Sequence, residues 1–248
     1  QQPVYRLLGG PQKDRVYCYA TGNDVDWYKE LGFTAFKLAC PYGPADGWEG
    51  IQKNEAFIAG VREIIGDESD LMLDCWMAFD VEYTVRLAEV LRPYRLKWME
   101  ECLIPEDLDG HLDLRERLPW QGLATGEHWY TPVPFQWAIR HKVVDILQPD
   151  INWCGGMTVC RKVADAADAA GINVILHGGG NTVYGQHFTY ATAAAPWCEC
   201  FVGTPPGVPL EEARGLPGMA IPKNGWLVPN DAPGFGLDIP ESAIKPFV

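Results

Sequence analysis

Eight short apolar runs, each followed by a stretch of helical periodicity, recur along this chain at intervals of about 20–30 residues. The runs lie at 15–20, 35–40, 71–76, 96–102, 123–128, 145–152, 173–177 and 198–202. Periodic stretches at 50–65, 81–91, 108–118, 134–141, 157–170 and 184–195 fall between them. Strand followed by helix, repeated, requires parallel strands joined by crossovers. The mostly apolar make-up of the runs fits strands covered on both faces. In the 157–170 stretch, Val163, Ala166, Ala167 and Ala170 fall at i, i+3, i+4 and i+7 and form the expected buried stripe. Eight such units in 248 residues close most naturally into a TIM-type (β/α)8 barrel, for which about 250 residues is typical. An open doubly wound sheet fits less well, because no GxGxxG follows the first run.

The pattern stops after Phe201. The remaining stretch is rich in Pro and Gly, so the expected organisation is a catalytic barrel over 1–203 and an irregular segment over 204–248 packed on it.

The later runs do not end in apolar residues. Asp74, Glu100, Glu127, Asp150, His177 and Glu199 close six successive strands, spaced 22 to 27 residues apart. A charged group ending a buried strand costs several kcal/mol unless it is paired. In a barrel all strand C-termini reach one rim, so these six groups are expected to share one mouth. Three acids in series with no base between them need a cation. Asp74, Glu100 and Glu127 offer hard oxygens, which suits Mg²⁺, with Mn²⁺ as an alternative, better than Zn²⁺. His177 with Asp150 has the composition of a general base oriented by a carboxylate. Glu100 and Glu101 compete for the inward position, and strand alternation admits only one of them.

Charge and cysteines bound the setting. Twenty basic against 33 acidic residues give a net charge of −13, which disfavours nucleic acid and anionic lipid as partners. No apolar run approaches the length of a membrane span. Eight cysteines without a CxxC pair, in a chain large enough to have its own core, read as reduced thiols in a cytoplasmic protein.

The motifs FKLACPYGP, DLMLDCWM, KWMEEC, TGEHWYT, QPDINWCGG and LHGGGNTVYGQHF, spread from about Tyr5 to Phe235, resemble acid-sugar dehydratases. Their family is the mandelate racemase branch of the enolase superfamily, whose sites are known to pair a Lys or His base with Mg²⁺. The resemblance implies the (β/α)7β form of the barrel and a hydro-lyase acting on an acid sugar. It assigns Asp74, Glu100 and Glu127 to the metal, His177 and Asp150 to proton transfer, and Glu199 to a hydrogen bond with the reacting oxygen. Glu101 then lies behind the ligands or on the surface. Racemases of the branch carry KxK on the second strand; here Lys37 is followed by Ala39, which favours dehydration over epimerisation. Lys37 and His128 are expected to contact substrate. The resemblance further implies an N-terminal capping domain and a symmetric homo-oligomer. The chain opens at Gln1, where the barrel opens, so a cap clipped away or carried on a separate chain is expected.

Overall fold

The computed structural model describes residues 1–213 and 215–243. Eight strands form one parallel sheet: β1 (Val16–Thr21), β2 (Ala35–Ala39), β3 (Asp70–Asp74), β4 (Met99–Glu100), β5 (Leu123–Thr125), β6 (Ile146–Leu147), β7 (Asn173–Val174) and β8 (Trp197–Phe201). Each strand from β1 to β6 pairs with the next in the chain, and β8 returns to pair with β1, with Thr21 opposite Phe201. The Val174 N–H donates to the Ala194 carbonyl at 2.8 Å and bridges the remaining seam between β7 and β8.

After a short N-terminal turn, α1 (Val4–Leu7), seven helices connect the strands. They are α2 (Val25–Glu30), α3 (Gly47–Ile65), α4 (Val81–Leu91), α5 (Leu108–Arg117), α6 (Pro132–His141), α7 (Gly156–Ala170) and α8 (Val183–Tyr190). No α-helix follows β8 among the described residues, so the barrel has the (β/α)7β form expected.

The barrel interior is filled, not hollow. Tyr19, Ala35, Met72, Trp98, Ala124, Ile146 and Ile175 meet in one buried layer, with Trp197 of β8 and Tyr17 packed against it. A single inward residue from or beside each strand is what closure demands. Tyr19 and Trp197 meet the Trp98 ring at tilted or edge-on angles, at centroid distances of 5.5 and 5.8 Å from it. The larger core lies between the strands and the helix ring. In α7 it takes Cys160, Val163, Ala164 and Ala167, while Ala170 is exposed. The stripe is therefore rotated from the one the spacing suggested. Alanines on both faces leave the phase ambiguous, and Cys160 decides it.

Within the 204–248 segment, residues 214 and 244–248 lie outside the described residues. A ninth strand, β9 (Trp226–Leu227), pairs antiparallel with β1, and Trp226 stacks on Tyr17 at 4.9 Å. Those contacts are at the N-terminal ends of the strands, so this part of the segment covers the bottom of the barrel and leaves the mouth clear of it. Among the described residues no helix is long and apolar enough to cross a membrane.

Candidate active site

The register places the charged strand ends side by side. Asp74 is opposite Glu100, Ala39 is opposite Asp74, and Tyr19 is opposite Glu199. On β2, Ala35 and Lys37 share the inward face, so the Lys37 side chain rises from the packed layer into the acids above it. Its ammonium meets Glu100, Glu199 Oε1 at 2.7 Å and Asp74 Oδ2 at 3.2 Å, and the side chain has no exposure. Burial works against the Lys37 charge, but Glu100, Glu199 and Asp74 outweigh it and hold the amine above its ordinary range. Lys37, expected to touch substrate, is buried beneath the mouth among Glu100, Glu199 and Asp74.

Glu100 is gripped from both sides. Oε1 receives Lys37, and Oε2 accepts from Trp98 Nε1 at 2.9 Å and Gln148 Nε2 at 2.7 Å. Burial pushes its pKa up; Lys37 opposes this, and the charges on Asp74 and Glu199 reinforce it. Glu199 accepts from Lys37, from the Thr21 hydroxyl at 2.7 Å and from the Gly178 N–H at 2.7 Å. Burial raises it, but Lys37 and His177 prevail, and it lies below the usual carboxylate range.

Glycine makes two of these placements possible. Gly126 has φ +130°, and a Cβ there would sit 2.8 Å from Phe135 Cε1. It lets the chain leave β5 with Glu127 turned into the mouth. A Cβ on Gly180 would run into Cys200 Sγ and approach the Glu199 carbonyl to 2.5 Å. Only glycine allows that turn to lie on β8 and present the Gly178 N–H to Glu199.

The His177 ring completes the far side of the mouth. Nδ1 is 2.8 Å from Asp150 Oδ2, and Nε2 is 3.2 Å from Glu127 Oε1. Asp150 Oδ1 accepts the Asn152 N–H at 2.6 Å. These hydrogen bonds outweigh the effect of burial and hold Asp150 below its ordinary pKa. Burial pulls His177 down, but the Asp150 hydrogen bond and the charges on Glu199 and Glu127 carry it up to about 9. Burial lifts Glu127 to about 7, despite His177.

Glu101 departs from the alternation argument. Its φ of +43° breaks the strand period, so it is buried at the mouth as Glu100 is. Both of its oxygens contact His128 Nδ1, at 2.9 and 3.1 Å. The surface position considered for Glu101 is therefore corrected. Trp76 and Met77, just after Asp74, also have positive φ, of 42° and 62°. Non-glycine residues in that region gather where the surrounding structure holds the backbone in place, as at functional sites.

Around the rim, Trp153 lies 5.6 Å from the His177 ring and 5.8 Å from the His128 ring. Phe201 faces His177 at 5.7 Å and Trp76 faces His128 at 6.4 Å, and all three aromatic side chains are substantially exposed. Sequence reasoning missed Thr21, Trp98 and Gln148. The alternation carried a signal for two of them, since Trp98 is two residues before Glu100 and Gln148 two before Asp150.

The donor set suits a hard divalent cation. Among the described residues, six carboxylates surround one mouth, and Lys37 is the lysine set among them. Ligand atoms of Glu101, Glu127 and His128 lie within 4.8 Å of one another. Asp74 and Glu100 are joined through one ammonium.

Residues 23–243 match the model of the family described as enolase C-terminal domain-like. The chain is 42% identical to the L-rhamnonate dehydratase of Saccharopolyspora erythraea, covering 99% of this chain and 63% of that protein. It superposes on rhamnonate dehydratase from Gibberella zeae complexed with Mg with a TM-score of 0.90 at 36% identity, over 98% of this chain and 60% of that one. A racemase from Streptomyces coelicolor A3(2) with bound magnesium gives a TM-score of 0.82 at 25% identity, over 96% and 64%. The chain thus spans less than two thirds of the length of these relatives. With its strand order, its (β/α)7β barrel and a family match over nearly the whole sequence, the chain belongs to the enolase C-terminal domain-like family.

Proposed function

We propose that the protein carrying this barrel is an acid-sugar dehydratase, with L-rhamnonate as its substrate. The observation that carries this reading is the His177 imidazole, bound to Asp150 through Nδ1 and presenting Nε2 to the acid-lined mouth. The names and structures of the rhamnonate dehydratases that this chain resembles support the substrate.

Asp74, Glu100 and Glu127 would hold Mg²⁺, with Mn²⁺ as a substitute, and the Glu101–His128 pair would brace them. When bound, the ion supplies positive charge against the substrate carboxylate as the neighbouring C–H bond loses its proton. Asp150 keeps a hydrogen on Nδ1 of His177, so Nε2 is the nitrogen able to accept the C2 proton. His177 then returns a proton to the departing 3-hydroxyl, which leaves as water. The enol that remains tautomerises to a 2-keto-3-deoxy acid. Glu199 would hydrogen-bond the reacting oxygen, and it also pairs with Lys37.

Ala39, where a racemase of this branch has its second lysine, leaves one face of the substrate without a cationic base. That favours elimination over racemisation. The exposed rim formed by Trp76, Trp153 and Phe201 is where we place the contact with a capping domain, which would exclude water from the mouth and close over the far end of the sugar. Eight free cysteines support a cytoplasmic setting, and a homo-oligomer completes the proposal.

Solvent exchange tests the proton step. In D₂O with Mg²⁺ and L-rhamnonate, the whole protein is expected to form product bearing deuterium at C3, and His177→Asn to form none. Product formed at the wild-type rate by His177→Asn would overturn the assignment.

A further inference from the structure

Among the described residues, Lys37 is the fully buried lysine at the mouth, and the proton-transfer account gives it no step. An ammonium has three N–H donors. The Lys37 ammonium donates to Glu100 on β4 and forms ion pairs with Asp74 on β3 and Glu199 on β8, so it meets carboxylates from three different strands. The side chain has no exposed surface. Two of its three partners, Asp74 and Glu100, belong to the ligand set proposed above for the divalent ion. The amine therefore stands on the same carboxylates that such an ion would use.

We propose that Lys37 is a resident counter-ion of the metal site. It keeps Asp74 and Glu100 together while the metal is absent, and it weakens metal binding by competing for the same carboxylates. It is a positioning residue, and the inference rests on the assignment of Asp74 and Glu100 as ligands.

Removing the charge has two opposed effects, and the remaining contacts decide between them. Without Lys37 the acids repel one another, which loosens the metal-free protein. Each acid nevertheless keeps a second hold. Glu100 has Trp98 and Gln148, Glu199 has Thr21 and the Gly178 N–H, and Asp74 has the Trp76 N–H at 3.0 Å. The carboxylates stay near their places, and the lost repulsion between ammonium and metal dominates. Lys37→Met is thus expected to bind the ion more tightly while being less stable without it. Lys37→Arg, which retains the charge, should not show the tightening.

The test is calorimetric titration of the whole protein with Mg²⁺ alone, no sugar present, together with thermal melts with and without the ion. The expected result for Lys37→Met is a lower metal-free Tm and a Kd for Mg²⁺ reduced about tenfold or more, with Lys37→Arg within about threefold of wild type. Wild type that binds Mg²⁺, with a Lys37→Met Kd that is unchanged or weaker, overturns the inference and leaves the dehydratase reading intact. Wild type that binds no Mg²⁺ overturns both. If Lys37→Met is unfolded in metal-free buffer, recovery of the fold on adding Mg²⁺ supports replacement of the ammonium by the ion. Failure to recover at any concentration shows that Lys37 serves the fold alone, and the inference falls.

Discussion

Asp150 Oδ2 lies 2.8 Å from His177 Nδ1, on the side of the imidazole away from Glu127. That contact orients the ring and turns Nε2 toward the mouth. Asp150→Asn keeps the size of the side chain while removing the charge that holds the tautomer. Dehydration by this variant is expected to fall by about 10²–10⁴-fold, the range for general acid–base groups. His177→Asn should fall at least as far. Steady-state kcat of both variants checks this, with circular dichroism to show that they are folded.

The elevated His177 pKa has a signature in stability. Folded, the ring titrates at about 9; unfolded, its ordinary value is 6.5. A group raised in the folded state contributes stability that is complete below its unfolded pKa and disappears as pH rises through the folded value. Glu127, raised to about 7 from 4.5, acts in the same direction. Metal-free protein should therefore lose Tm steadily between about pH 5 and 9. Asp150→Asn should flatten the upper part of that profile. A Tm that climbs over this range would contradict the assignment.

A cation should reverse that loss. At a hundredfold excess over its Kd, a ligand bound only by the native state adds about 2.7 kcal/mol. Mg²⁺ is expected to raise Tm most at pH 8–9, where the carboxylates are most fully ionised. Glu127→Gln and Glu100→Gln should abolish most of the rise. Glu101→Gln should keep a larger share, because its carboxylate is engaged with His128. Thermal melts of the three variants with and without Mg²⁺ decide the order.

Gly180 links packing to chemistry. A methyl group there meets Cys200 Sγ and the Glu199 carbonyl, both parts of β8 and neither a flexible chain end. Gly180→Ala should cost about 1–3 kcal/mol, the usual range for overpacking. It should also reduce kcat, because the turn that brings the Gly178 N–H to Glu199 must move. Denaturant melts and kinetics on the same preparation measure both effects.

Much of this was legible because barrels write their topology into the chain. All eight apolar runs became strands, and the charged residues closing six of them gather at one mouth. Residues that act locally were harder to read. The six-residue helix α2 is too short to show a period, although Val25, Trp27 and Tyr28 are buried in it. In α7 the alanines fit more than one stripe, and the phase is set by Cys160, which a search for large apolar residues passes over. The surface alternative for Glu101 fails because alternation assumes an extended backbone, and its positive φ depends on tertiary context. The arrest of Lys37 by three acids from separate strands has no local signal either, since it arises only when the barrel closes.

The most direct test of the central claim is a product assay on the whole protein with Mg²⁺, comparing L-rhamnonate with a panel of other aldonates. The account predicts formation of the 2-keto-3-deoxy acid from L-rhamnonate, fastest of the panel and lost in His177→Asn. Turnover confined to another aldonate would keep the chemistry of the mouth and contradict the substrate. No product from any acid sugar, by folded protein that binds Mg²⁺, would contradict the dehydratase reading itself.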